Sequence, residues 1–291
     1  MNKVDKYWNE RPIRYTYIIK TMDEIKRGIH TADHIIKDSY RFSSIPKIKR
    51  LLLYNIYDDL NDKVVLDYGC GPGDSIIDIF EKSNIKNVVG IDISTTALEF
   101  AKVRFNLCGI SDKIVLLKVS DNIPKIPLED KSIDYITCLG VIHHTTHPIS
   151  ILKEFHRILK DNGKCMFTVY NKDSTTYHFK WVLGSLSTKT NIDDYCRDRS
   201  DKGAPIGNAY TVKDFTKMCN EASFNNVEFL GGYWPKDRVE GLSENIFKEF
   251  MENDKIDEEH KNFMRKIDNS TGYPKYNGKI CGYVGTYLVR K

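Results

Sequence analysis

Apolar and polar positions divide the chain into stretches of different period. Over roughly the first sixty residues, apolar side chains recur at helical spacing among charges. Ile25, Ile29, Ile35 and Ile36 mark one such face, and a second helix is expected over 48–60. From residue 63 short β-branched runs alternate with helical ones. Residues 63–68, 87–92, 113–119, 132–139 and 164–170 read as strands. Helices are expected between them at 74–83, at 94–107 with Ser94 as N-cap, and at 148–160, opened by Pro148 and closed by Asn162-Gly163. Pro124 and Pro127 break the loop before the fourth strand.

This alternation predicts an α/β fold, a doubly wound parallel sheet covered by helices on both faces, with right-handed crossovers. The remainder is less regular. Residues 171–208 read as an insertion with one helix around Trp181. A helix at 212–222, a strand at 227–230, polar helices over 242–267 and an apolar strand at 280–289 follow. A strand, an excursion and a last strand fit an antiparallel pair closing the sheet edge. The expected domains are a helical lid or substrate segment, 1–60, and an α/β domain, 61–291, with insertions at about 171–209 and 232–278.

Composition narrows the setting. Of 291 residues, 44 are basic and 40 acidic, a net charge of +4 too even to predict a nucleic acid or membrane partner. Seven cysteines without a C-x-x-C pair predict neither disulfides nor a metal site, and suit a cytoplasmic protein. The first residues are charged and lack the apolar core of a signal peptide. Monomer and homodimer stay equally open.

The chemistry gathers at Asp67-Tyr-Gly69-Cys-Gly71-Pro-Gly73-Asp74, between the first strand and its helix. Glycines let the backbone turn sharply and approach a ligand, and a helix start offers free N–H groups. A dinucleotide fingerprint needs a third glycine where Asp74 stands. Asp67 and Asp74 repel a pyrophosphate and suit a ligand carrying ammonium and sulfonium groups. The second strand ends in Asp92, placed to accept from ribose hydroxyls, beside Ile93, which can pack on a base. The third strand leads to Asp121-Asn122, able to read an adenine edge. The fourth ends at Leu139, facing the crevice where strand order should reverse.

DYGCGPGD, then GIDIS, then SIDYITCLGVIHHTTHP and DNGK together resemble the class I methyltransferases, and most of all the branch with the ubiquinone and menaquinone biosynthesis enzymes. The resemblance covers about residues 63–170; YWNERP near the start resembles a leader segment of some members. It implies a Rossmann-like seven-stranded sheet of order 3-2-1-4-5-7-6 and S-adenosyl-L-methionine as methyl donor, leaving S-adenosyl-L-homocysteine. Carried over by position, Asp67, Gly69, Gly71 and Gly73 hold the methionine portion. Asp92 binds the ribose, Ile93 packs on adenine, Asp121 and Asn122 read its edge, and the Leu139 carbonyl accepts from the amino group. Family members often have alanine where Asn122 stands.

Methyl transfer from a sulfonium is an in-line displacement, so most catalysis can come from holding nucleophile and methyl carbon about 3 Å apart. A hydroxyl acceptor benefits from a base that titrates near neutrality, and His143 and His144 are the candidates. Expected substrate contacts are Tyr7, Trp8, Tyr15 and Tyr17 from the N-terminal segment, and Tyr170, Tyr177, His178 and Trp181 after the fifth strand. The reading is methyl transfer to oxygen or nitrogen of a small molecule. RNA or a peptide as acceptor, or a non-catalytic cofactor-binding regulator, are the alternatives.

Overall fold

The computed structural model describes residues 1–13, 15–52, 54–233, 244–270 and 272–291; the side chains of Tyr15, Arg50, Leu51 and Glu244 lie outside the described set. Five parallel strands form the centre: β1 (Val64–Tyr68), β2 (Asn87–Asp92), β3 (Ile114–Lys118), β4 (Ile133–Leu139) and β5 (Leu159–Asn171). A two-residue strand, β6 (Ala209–Tyr210), adds to the end of β5. β7 (Asn226–Tyr233) is the far edge. Two short strands, β8 (Lys275–Tyr276) and β9 (Lys279–Ile280), form a separate antiparallel pair, and the last strand, β10 (Val284–Arg290), lies between β5 and β7, antiparallel to both. The order β3-β2-β1-β4-β5-β10-β7 is the Rossmann-like methyltransferase order. The antiparallel pair expected at the edge is present, with the final strand threaded inside it.

Strands buried on both faces read as near-continuous apolar runs, and their alternation separates two cores. In β1, Leu66 joins Ile136, Phe155, Phe167 and Phe215 on one face. Val65 joins Ile76, Ile79, Ile35 and Ile45 on the other. The first face is covered by α8 (Pro148–Ile158) and α11 (Val212–Glu221). The second is covered by α6 (Asp74–Lys82) and α7 (Thr95–Leu107) together with the N-terminal helices.

Those are α1 (Lys3–Glu10), α2 (Tyr15–Lys26), α3 (Ala32–Phe42), α4 (Ile45–Leu52) and α5 (Ile56–Asp59). The single helix expected over 48–60 is thus two. Ile29 is not on a helical face; it is half exposed in the turn between α2 and α3.

Two further boundaries differ from the sequence pattern. α8 stops at Ile158 because Leu159 is already extended, so Asn162-Gly163 lie inside β5, where its register against β4 shifts. The insertion after β5 holds more helix than expected: a π-helical turn at Thr176–Trp181, α9 (Val182–Thr188) and α10 (Ile192–Ser200). Its apolar side chains Phe179 and Val182 pack on Phe250, Ile256, Phe263 and Met264 around α12 (Glu244–Glu252) and α13 (Glu258–Arg265). Two weakly patterned segments bury each other in a third core. Among the described residues no helix is long and apolar enough to cross a membrane.

Candidate functional site

Strand order reverses between β1 and β4, and the carboxyl ends of β1–β4 meet there around one cavity. Gly69 and Gly71 line it from the first loop, Asp92, Ile93 and Ser94 from the second, Asp121 from the third, and Leu139 with Val141 from the fourth. His144 and Thr145 follow, and Val4, Trp8, Pro12 and Ile13 roof it from α1 and the turn after it.

The loop after β1 needs its glycines for two reasons at once. Gly69 and Gly73 have φ of +76° and +81°, where L side chains are strained. A Cβ at Gly69 would strike Val141, and one at Gly73 would strike the Phe105 ring. The Gly71 amide donates to Asp92 Oδ2 at 2.8 Å, and Ser94 N donates to Oδ1 at 2.7 Å. A carboxylate has about four acceptor sites, so Asp92 keeps capacity for a ligand diol.

The acids around the loop differ in how they are compensated. Asp67 is 3% exposed and accepts from Thr137 Oγ1 at 2.7 Å. Burial pushes its carboxyl up to about 7, against the Thr137 hydrogen bond and helped by the charge of Asp92. Burial also raises Asp92, against its backbone donors. Among the described residues no cation is paired with either. Asp74 is different. Its Oδ1 is 2.8 Å from Nη2 of the fully buried Arg104, whose guanidinium also reaches Ser39 Oγ and the Pro72 carbonyl. This corrects the expectation that Asp74 acts as a free charge at the loop: it is paired with Arg104, and Asp67 and Asp92 are the acids without a cation there among the described residues.

The roof is tied down by hydrogen bonds that sequence reasoning missed. Asp5 Oδ1 accepts from the Asp121 amide at 2.9 Å, and Oδ2 from Ser120 Oγ at 2.6 Å. Asn9 Oδ1 accepts from Thr95 N at 2.9 Å, filling a free donor at the start of α7. The Asp121 carboxylate accepts from the amide and hydroxyl of Thr146. Asn122 is exposed and does not line the cavity; its amide donates to Ser120 Oγ at 3.4 Å. Polar residues in a loop give no pattern from which these pairings can be read.

Of the paired histidines, His144 lines the cavity and His143 lies behind it, 1% exposed. Burial, with the neighbouring His144, holds His143 well below the usual histidine range, so its ring is neutral. Neither of its nitrogens has a hydrogen-bond partner among the described residues. His144 has acceptors at both nitrogens, Ile206 O at 2.7 Å from Nδ1 and Asp201 Oδ2 at 3.2 Å from Nε2.

Most of the expected aromatic wall is packing. Trp8 lines the cavity, its ring centroid 5.1 Å from that of His144. Tyr7 turns away and donates to the Lys202 carbonyl. Tyr170 lies tilted against His143, ring centroids 4.0 Å apart, and donates to Asp201. Tyr17 donates to Asp38 and packs on Phe42 and Phe100 in the helical layer. Tyr177 donates to Asp193, His178 meets His260 and stacks on Phe263, and Trp181 meets Tyr283 edge-on. Tyr7, Tyr17, Tyr170, Tyr177, His178 and Trp181 do not line the cavity; the insertion turns Tyr177 and His178 toward α10 and α13. The side chain of Tyr15 lies outside the described residues.

The crevice, its acids and the strand order define the S-adenosylmethionine-dependent methyltransferase class. The family profile described as "Methyltransferase domain" matches residues 59–223, more than half of the chain, and the chain belongs to that family. It is 29% identical over 212 residues to the ubiquinone biosynthesis O-methyltransferase of Neisseria meningitidis serogroup A, covering 72% of this chain and 84% of that protein. It is 31% identical over 123 residues to an uncharacterized protein of Methanocaldococcus jannaschii, covering 42% of this chain but only 48% of that one. A second meningococcal ubiquinone biosynthesis O-methyltransferase is matched over 64% of its length. A methyltransferase structure from Mesorhizobium loti superposes with a TM-score of 0.53 at 15% identity, over 84% of this chain and 96% of the other. One from Archaeoglobus fulgidus gives 0.53 at 14%, over 88% and 97%. These two likenesses show the fold.

Proposed function

We propose that the protein transfers a methyl group from S-adenosylmethionine to an oxygen or nitrogen of a small-molecule acceptor. One observation carries the donor: the buried carboxyls of Asp67 and Asp92 lie at the glycine loop without a cationic side chain among the described residues, so a ligand cation is what favours their charged form. A ligand bringing an ammonium and a sulfonium compensates that charge, whereas a di- or triphosphate adds to it. S-adenosylmethionine supplies an activated methyl group on a good leaving group.

The chain's own residues then bind and orient. Asp67 attracts the ammonium end, with Gly69 and Gly71 at the cavity allowing close backbone approach; Gly73 does not line the cavity and serves the loop by packing on Phe105. Asp92 accepts from the ribose, and Ile93 packs beside the base. The Asp121 carboxylate and the Leu139 carbonyl face the polar edge, with Asn122 outside. The roof of α1, carrying Trp8, excludes water and shapes a chamber for a small molecule.

The roofed cavity favours a small acceptor over a polymer, and the similarity to proteins named ubiquinone biosynthesis O-methyltransferases favours a hydroxyl. Incubation with methyl-labelled donor and a fractionated cell extract tests this. Label is expected in the small-molecule fraction; label confined to RNA or protein would count against it.

A further inference from the structure

We propose that Asp201 is a positioning residue, which clamps His144 through Nε2 and so makes that ring a fixed wall of the acceptor chamber rather than a general base. The proposal rests on the methyl-transfer reading of the cavity.

His144 is 6% exposed, and its two nitrogens face oxygen acceptors on opposite sides: the Ile206 carbonyl at 2.7 Å and the Asp201 carboxylate at 3.2 Å. The Ile206 carbonyl can only accept, so Nδ1 carries hydrogen there, while Nε2 faces the Asp201 carboxylate and donates to it when it too carries hydrogen; in either form both nitrogens are directed at protein oxygens and none turns a lone pair to the cavity. Both acceptors belong to the segment that follows α10. That segment, rather than the sheet, fixes the ring's direction.

Asp201 is itself oriented. The Tyr170 hydroxyl donates to the same Oδ2, while the Tyr170 ring stacks on Tyr283 at 4.8 Å. Burial raises the Asp201 carboxyl, but hydrogen bonds from His144 and Tyr170 and the charge of His144 outweigh it and hold Asp201 below the usual carboxylate range. The chain Tyr170–Asp201–His144 thus ends at the cavity wall, with Trp8 against the ring on its other side. A ring held at both nitrogens and by a neighbouring indole has one orientation, which is what an in-line displacement asks of its surroundings. His143 has no such tie.

The test uses the full chain with ring-¹⁵N histidine, read by proton–nitrogen correlation. The wild-type protein is expected to show a protected Nε2–H on His144, assigned by its disappearance in His144→Gln. In Asp201→Asn exchange of that hydrogen should quicken at least tenfold, while the dissociation constant for S-adenosylhomocysteine stays within twofold. Tyr170→Phe, which removes only a hydroxyl, should keep the signal and move it downfield, since Asp201 then leans on His144 alone. An unprotected Nε2 in the wild type, unchanged exchange in Asp201→Asn, or loss of the signal in Tyr170→Phe would each overturn the clamp. Failure of S-adenosylhomocysteine to bind the wild type would instead remove the methyl-transfer reading, with the nitrogen spectra unaffected.

Discussion

Asp92 Oδ2 lies 2.8 Å from the amide of Gly71, so the acid at the end of β2 holds the glycine loop of β1 in place. The same carboxylate lines the cavity and carries the proposed ribose contact. Asp92→Ala should therefore lose both the ligand contact and the loop's tether. Binding of S-adenosylhomocysteine should weaken by about 1.5–3 kcal/mol, the worth of hydrogen bonds to a charged group. Calorimetry checks this, and an unchanged dissociation constant would remove Asp92 from the site.

Asp67 gives a pH dependence whose sign is fixed. Its folded-state value lies above the ordinary one, so the fold prefers the neutral acid and binds the proton more tightly than the unfolded chain does. Its contribution to stability falls as pH rises from 3.8 to about 7, and the full penalty persists above that. The difference is on the order of 4 kcal/mol. Asp67→Asn should raise the thermal midpoint at pH 8 and change it little at pH 4. The ammonium group of the ligand favours the ionised form, so wild-type affinity for S-adenosylhomocysteine should grow as pH rises through 7, with proton release on binding. Asp67→Asn should flatten that dependence.

Gly73 tests the loop as a packing feature. Gly73→Ala combines a left-handed φ with a clash against Phe105, and should cost about 1–3 kcal/mol of stability by chemical denaturation. Gly109 has a similar φ, +70°, but open space around it, so Gly109→Ala should cost only the backbone strain of about 1 kcal/mol. Equal losses at the two sites would show that the Phe105 contact is unimportant.

The roof gives a kinetic prediction. Asp5→Ala removes the acceptor of the Ser120 hydroxyl and the Asp121 amide, loosening α1 over the cavity. Dissociation of S-adenosylhomocysteine, followed by stopped-flow fluorescence of Trp8, should quicken about tenfold, corresponding to about 1.4 kcal/mol. An unchanged rate would mean that α1 does not gate the site.

The central sheet was legible because parallel strands buried on both faces leave long apolar runs; 87–92 and its successor helix from Ser94 appear as read. The glycine loop and the acid of β2 were legible because turn geometry and strand-end position dictate residue type. What the sequence did not show are pairings across long separations. Nothing in the helical pattern over 94–107 singles out Arg104, and only the fold brings it against Asp74. Asp5 and Asp201 lie in polar stretches without a repeating pattern, and each gains meaning from a loop more than fifty residues away. The aromatic residues after β5 looked like a substrate wall because tyrosine and histidine suit both ligand sites and small packed cores. The third core, beside which Tyr177 and His178 pack, is built largely from α12 and α13, far along the chain.

The central claim is that the glycine loop and its two acids, which face no cationic side chain among the described residues, take a zwitterionic, sulfur-bearing nucleoside. Calorimetric titration of the wild-type protein with S-adenosylhomocysteine, NAD and ATP in parallel tests it directly. Saturable one-to-one binding of S-adenosylhomocysteine, with NAD and ATP giving no heat at the same concentrations, is the predicted result. Tighter binding of NAD or ATP would contradict it.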